Sequence, residues 1–219
     1  MRPRLASVAL VSLLALAGCG KDVFGSPRRV KTHGYRARAT VVDARGERKF
    51  ELAVRDLNRR QAPLPNEKGP VVIWRGAEKK SFSLDPVART YSERSFTAVD
   101  EVLPGHPLAP GFDHNMEARR RNVTQYTRES DDVLAGHACW IWRFDDEPGK
   151  EGTPSTAYWV APDLDFVVVR LVRDLPQPEG TSRREITDLT DVRVGADEDL
   201  FEIPKGYRQV PATKAPARP

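Results

Sequence analysis

The chain has 219 residues, 30% of them charged and 39% hydrophobic, with a formal charge of +4 and two cysteines. That length suits one domain with tails, and so small an excess of basic residues excludes the strongly basic signature of a nucleic-acid binder. Beyond the first twenty residues no apolar run reaches the ~20 residues needed to cross a bilayer as a helix.

The first element is a leader. Arg2 and Arg4 precede the apolar run from Leu5 to Ala17, and small residues follow it, which is the pattern of a secretory signal peptide over residues 1–18. Leu16-Ala17-Gly18-Cys19 resembles the bacterial lipobox. That resemblance implies cleavage before Cys19, acylation of its thiol and amino group by chains such as palmitate, and attachment to a membrane. One acyl chain binds a bilayer marginally, whereas two or more hold firmly. Cleavage removes Arg2 and Arg4, lowering the formal charge from +4 to +2. With Cys19 acylated, Cys139 has no internal disulfide partner. Gly20, and not Asp, follows the cysteine. By resemblance to enteric sorting this implies the outer membrane, facing the periplasm.

Residues 19–32 are polar, basic and without apolar periodicity, so they read as a flexible tether reaching roughly 20 Å by the square-root rule for flexible coils. Residues 33–210 then carry turn signals every eight to twelve residues, the mark of an antiparallel β architecture. A hairpin joins residues 35–42 to 49–54 through Asp43-Ala44-Arg45-Gly46, and Phe50, Leu52 and Val54 alternate with charged neighbours. A second pair, 71–74 and 80–84, is separated by Arg75-Gly76-Ala77-Glu78. Residues 90–96 follow the Asp85-Pro86 turn.

Residues 97–123 break the pattern. Pro104, Pro107 and Pro110 interrupt them, and 112–121 resumes with helix formers, so one or two short helices joined by a proline-rich loop are expected. Strands 123–128 and 138–144 flank a turn placed at 130–136. The two-residue period puts Ala138, Trp140, Trp142 and Phe144 on one face. The clearest hairpin is 158–172, with Pro162 and Asp163 in its turn. Its second arm, 165–172, is almost continuously apolar and reads as a strand covered on both faces. Residues 183–194 form a weaker last strand, and 211–219 a disordered Pro/Ala tail. The expected fold is mainly β with a short helical insertion: an antiparallel, half-open barrel in one domain. The insertion is expected to pack into its concave side.

Three stretches carry a family likeness. Residues 71–93, beginning Val71-Val72-Ile73-Trp74, are similar to a two-hairpin section of periplasmic proteins related to the LolA-type lipoprotein carriers. Gly136 to Trp142 with Ala157 to Ala161 resembles their middle strands, and Asp199 to Tyr207 their closing segment. The likeness implies a half-open antiparallel barrel with helices over a hydrophobic mouth, and binding or sensing of acyl chains or lipoproteins. The soluble carriers have no lipid anchor, so the Cys19 anchor points to reception, sensing or a structural role over shuttling.

The chemistry-bearing residues are few. His106, His114 and His137, even with Asp113 or Asp131, lack the paired spacing of a zinc motif, so no metal and no cofactor is expected. His137 and Cys139 share a strand face at roughly 6–7 Å from the ~3.3 Å rise per residue, too long for a direct hydrogen bond without favourable rotamers. A buried structural Cys139 is the simpler reading, and a thiol/histidine hydrolase the alternative. Trp74, Trp140, Trp142 and Trp159 are candidate ligand-lining residues, or else core fillers. Arg119, Arg120 and Arg121 are a candidate contact with anionic head groups, or else a solvated face. Together these readings describe a non-catalytic lipoprotein that binds a hydrophobic ligand (acyl chain or lipoprotein) or an envelope partner. The rival is a structural or signalling module with a filled core.

Overall fold

The computed structural model describes residues 34–96, 112–147, 152–177 and 180–212. The expected signal peptide, Cys19, the expected tether, His106 with residues 97–111 of the expected insertion, and residues 213–219 lie outside the described residues.

Two meanders make one sheet. The first contains β1 (Tyr35–Asp43), β2 (Gly46–Arg55), β3 (Asn58–Ala62), β4 (Val71–Arg75), β5 (Lys80–Asp85) and β6 (Thr90–Ser95). Helix α1 (His114–Arg121) follows, and then the second meander, β7 (Tyr126–Leu134), β8 (His137–Asp145), β9 (Ser155–Ala161), β10 (Val167–Pro176) and β11 (Ser182–Val194). A short 3₁₀ turn, Glu198–Phe201, leads to β12 (Arg208–Gln209). The strand order is β12-β6-β5-β4-β3-β2-β1-β11-β10-β9-β8-β7, so the pairing of β1 with β11 welds the meanders together. Every pairing is antiparallel except β12 on β6. The sheet stays open, with β7 and β12 at its edges. Among the described residues this is the mainly β, open and curled antiparallel fold with a short helix in its insertion that the sequence implied.

Register separates two faces in the first meander. Tyr35, Val54, Arg59 and Trp74 form one cross-strand row, and Ala37, Leu52, Gln61 and Val72 the next. This inner face packs Tyr35, Ala37, Ala39, Phe50, Leu52 and Val54 against Cys139, Ala161, Leu164, Val167 and Val169 of the second meander. Such contacts require the sheet to curl back on itself. Irregularities at Arg36/Arg38, Arg128/Asp131 and Val168/Arg170 supply the bends, because an extra residue in one strand increases the local twist. On the outer face Ala53, Ile73, Phe82 and Leu84 are sealed by Ala196 and Phe201, with Leu200, Ile203 and Tyr207 beside them. The closing segment read from sequence is thus a plug for the outer face.

The sequence reading needs three corrections. Strand β3 has no signal in the sequence, because Asn58-Arg59-Arg60-Gln61-Ala62 has no apolar alternation. Its backbone bonds to β2 and β4 make it a strand, since pairing and packing override intrinsic preference. The turn expected at 130–136 is only Ala135-Gly136, both with positive φ as a two-residue hairpin turn requires. Ser130, Asp131 and Asp132 belong instead to β7, where charge protects an exposed edge. The turn at Pro162-Asp163 runs on through Leu164 as a 3₁₀ turn, with Asp165 and Phe166 both left-handed (φ 58° and 57°), and β10 begins at Val167. Its apolar arm is covered on both faces as expected: Val167, Val168, Val169 and Leu171 are all buried.

Candidate functional site

Helix α1 is built by its ends. Asp113 Oδ1 accepts the backbone N–H groups of Asn115 and Met116 at 2.8 and 3.2 Å, and Asn122 closes the helix in a left-handed conformation. The helix lies on the second meander, where Ala118, Phe112 and Val123 pack with Phe144, Tyr158, Val160, Val168 and Leu171. Glu117 is buried beneath it. Arg120 donates two hydrogen bonds of 2.8 Å to Glu117, and the Tyr158 hydroxyl donates to the same carboxylate. Burial, and then the Glu117 charge, push the Tyr158 phenol up from 10.0 to about 12.

The four tryptophans are not gathered into one mouth. Trp142 lies under α1, its ring stacked on His114 with centroids 4.0 Å apart and planes within 5°. Trp140 shares that side of β8 but contacts Phe166 and the Arg128 guanidinium. Trp159 pairs with Ile141, which puts it on the opposite side of the β8–β9 ribbon, and its indole N–H donates to Asp132 at 3.1 Å. Trp74 belongs to the first meander, with the Arg59 guanidinium 4.8 Å above its ring. Three of the four thus carry an arginine on or near the ring face, a contact that keeps a half-buried indole compatible with so charged a chain.

The arginine run divides in the same way. Arg120 is held by Glu117, and Arg121 reaches back to Asp146 at 2.6 Å over the Phe144 ring. Arg119 is exposed on the same helix. Residues three in a row on a helix point about 100° apart, so the run does not present one basic face.

Cys139 is fully buried in the inner core, and its thiol donates to the His137 carbonyl at 3.4 Å. Burial pushes the thiol above its ordinary value. A nucleophilic cysteine needs the reverse, an accessible thiolate stabilised by positive charge. The His137 ring instead meets Asp163, Nδ1 to Oδ2 at 2.7 Å, a carboxylate partner that the sequence reading did not find. Among the described residues no group of three or more His, Cys, Asp and Glu side chains converges on a point that would suit a metal ion.

A cluster of arginines and one buried arginine were also missed. On the outer face Arg36, Arg38, Arg60 and Arg193 line a groove of about 250 Å³, answered by Glu51 and Asp191. Arg38 pairs with Asp191 at 3.2 Å across its rim. On the inner face Arg59 is 7% exposed, the most buried arginine of the described residues. Its Nη2 donates to Gln61 Oε1 at 3.3 Å, and its Nε is buried with no acceptor. Only register exposes this residue to notice: its row-mates are Tyr35, Val54 and Trp74, where an alternating strand would carry an apolar side chain.

No family model matches the sequence, and no curated protein matches it. Solved structures do resemble the chain. An uncharacterized conserved protein from Thermus thermophilus is 11% identical, with a TM-score of 0.48 over 84% of this chain and 92% of that one. The Mycobacterium tuberculosis lipoprotein LppX is 12% identical, with a TM-score of 0.40 over 76% of this chain and 89% of its own. A LolA superfamily protein from Nitrosomonas europaea is 8% identical, with a TM-score of 0.31 over 77% and 90%. The last belongs to the superfamily that the sequence resemblance named.

Proposed function

We propose that this chain is a lipid-anchored protein of the bacterial cell envelope that binds a hydrophobic ligand, an acyl chain or a lipoprotein, or an envelope partner, without catalysis. Residues 1–18 are its signal peptide, 19–32 the acylated Cys19 and tether, 33–210 the binding domain and 211–219 a tail. The anchor places it on the outer membrane, facing the periplasm. One observation carries the binding reading: the curled sheet stays open, and its inner face extends from the apolar floor of β1 and β2 to Val72 and half-buried Trp74 on β4. Large half-buried aromatics beside apolar strands are the ordinary lining of a site for apolar ligands.

The rival reading, a structural or signalling module with a filled core, draws support from the other meander. There Trp142, Tyr126, Phe144 and Tyr158 are packed ring against ring beneath α1. Native mass spectrometry of the protein purified from its own envelope separates the two. A co-purifying lipid or lipoprotein is expected. Bare protein, together with unchanged tryptophan fluorescence across a wide titration of long-chain fatty acid and phospholipid, overturns ligand binding and leaves the scaffold.

A further inference from the structure

We propose that Arg59 on the inner face of the sheet receives the acidic head of an acyl ligand, a carboxylate or a phosphate. The inference rests on the ligand-binding reading above and names the chemistry of that ligand.

Arg55 has Glu198, Arg75 has Glu78 and Glu202, Arg121 has Asp146, Arg143 has Glu129, and Arg170 has Asp188. All are more exposed than Arg59, and each meets a carboxylate. Arg59, in the driest place, meets none: among the described residues its polar partner is the neutral amide of Gln61. Burial lowers its pKa to about 10, so it remains a cation at neutral pH. Tyr35, its neighbour along the row, supplies no compensating charge, because burial pushes that phenol upward and keeps it neutral. A guanidinium taken out of water without a counter-charge is costly, and the protein gains nothing from it while it stays uncompensated.

Geometry supplies the rest. The Arg59 guanidinium carbon stands 4.8 Å from the centre of the Trp74 ring, an apolar neighbour that offers its N–H donors no acceptor. Nε has no acceptor, and Nη2 has only a long bond to Gln61. A planar fork with an unanswered Nε matches the two oxygens of a carboxylate or phosphate, which it binds as a bidentate pair. Leu52, Val54 and Val72 stand beside it on the same face, suited to the first methylenes of a chain and unsuited to a free polar ion.

The test uses the full-length chain carrying Cys19→Ser, which keeps every other residue and removes only the acyl anchor. Equilibrium binding of palmitate, hexadecyl phosphate and hexadecanol is measured, with acetate and inorganic phosphate as heads without chains. At least one of the two acids is expected to bind ten-fold or more tighter than hexadecanol, and whichever binds tighter names the head. Arg59→Met is expected to bring the three chains within about two-fold of one another while hexadecanol affinity holds. Arg59→Lys is expected to retain part of the preference. Ligand-free Arg59→Met is expected to melt no lower than its parent, because no carboxylate is left unpaired. Equal affinities for the three chains in the parent, or a preference that survives Arg59→Met, overturns the assignment while leaving ligand binding intact. So does inorganic phosphate binding as tightly as hexadecyl phosphate, or a lowered melting temperature with hexadecanol binding lost. Failure of every chain to bind overturns the inference and the binding reading together.

Discussion

At the scale of single residues, buried polar groups are where this protein is most sensitive. Tyr158 holds its proton to about 12, against 10.0 for an unperturbed phenol. The folded state therefore keeps a proton that the unfolded state loses between those values. The stabilisation is fully present below about pH 10 and is lost as pH rises through about 12. Urea midpoints measured from pH 9 to 12 are expected to fall steeply in the wild type and less steeply in Tyr158→Phe. At neutral pH the same variant is expected to be about 1 kcal/mol less stable, since Glu117 loses a buried donor. Cys139 makes the opposite case. Its thiol makes only weak polar contacts with backbone, among them the His137 carbonyl, so Cys139→Ala should cost at most ~1–3 kcal/mol and leave binding intact. Its thiol is expected to resist labelling until the protein unfolds. Rapid labelling of the native state, with loss of a hydrolytic activity in the variant, would restore the hydrolase reading.

At the scale of elements, α1 is short and depends on its caps and its underside. Eight residues are too few for a helix to persist alone, so tertiary contacts and the Asp113 cap supply its stability. Asp113→Ala should cost about 1 kcal/mol and speed amide exchange at Asn115 and Met116, read by hydrogen exchange. Trp142 is the platform beneath. Its ring is stacked by His114 and flanked by Tyr126, so Trp142→Ala should destabilise the protein by about 3 kcal/mol, measured by denaturant unfolding. An unchanged midpoint with weakened lipid binding would instead make Trp142 part of an open mouth. The first meander needs no helix on its outer face, because Phe201 and its neighbours seal it. Gly34 opens that meander with φ +70°, and a Cβ there would stand 2.3 Å from the Val54 carbonyl oxygen. A side chain at this position forces the β1–β2 pairing apart.

At the scale of the whole molecule, the proposed function divides the work between the sheet and the leader. The leader is proposed to specify where the protein goes, so Cys19→Ser should leave uncleaved precursor or soluble protein that incorporates no labelled palmitate. Failure of the wild type to incorporate palmitate in a bacterial host would remove the anchor, and fractionation into the inner membrane would remove the outer-membrane assignment. In that proposal, binding is a property of the sheet's curl. Because β1 pairs with β11, a strand from each meander shares one register, and side chains far apart in sequence meet across the inner face. Long-range pairing of this kind is lost as a unit, so destabilising substitutions in either meander are felt in both.

The amino-acid sequence alone determined the positions of most strands and, through a family likeness, the closing segment near residue 200. The strands are written in local patterns: alternation with period two, and turn residues between. It also placed Cys139 in a core, since an uncharged side chain at an alternating position is buried by the same rule. Strand β3 was beyond its reach, because Asn58 to Ala62 becomes a strand only through the partners on either side. So was the dispersal of the tryptophans: alternation tells which side of its own strand a ring occupies, not which strands the curl brings opposite. Arg59 shows the limit most plainly. In the sequence it is one of many arginines, and only the closing of the sheet takes away its water and leaves its Nε unanswered.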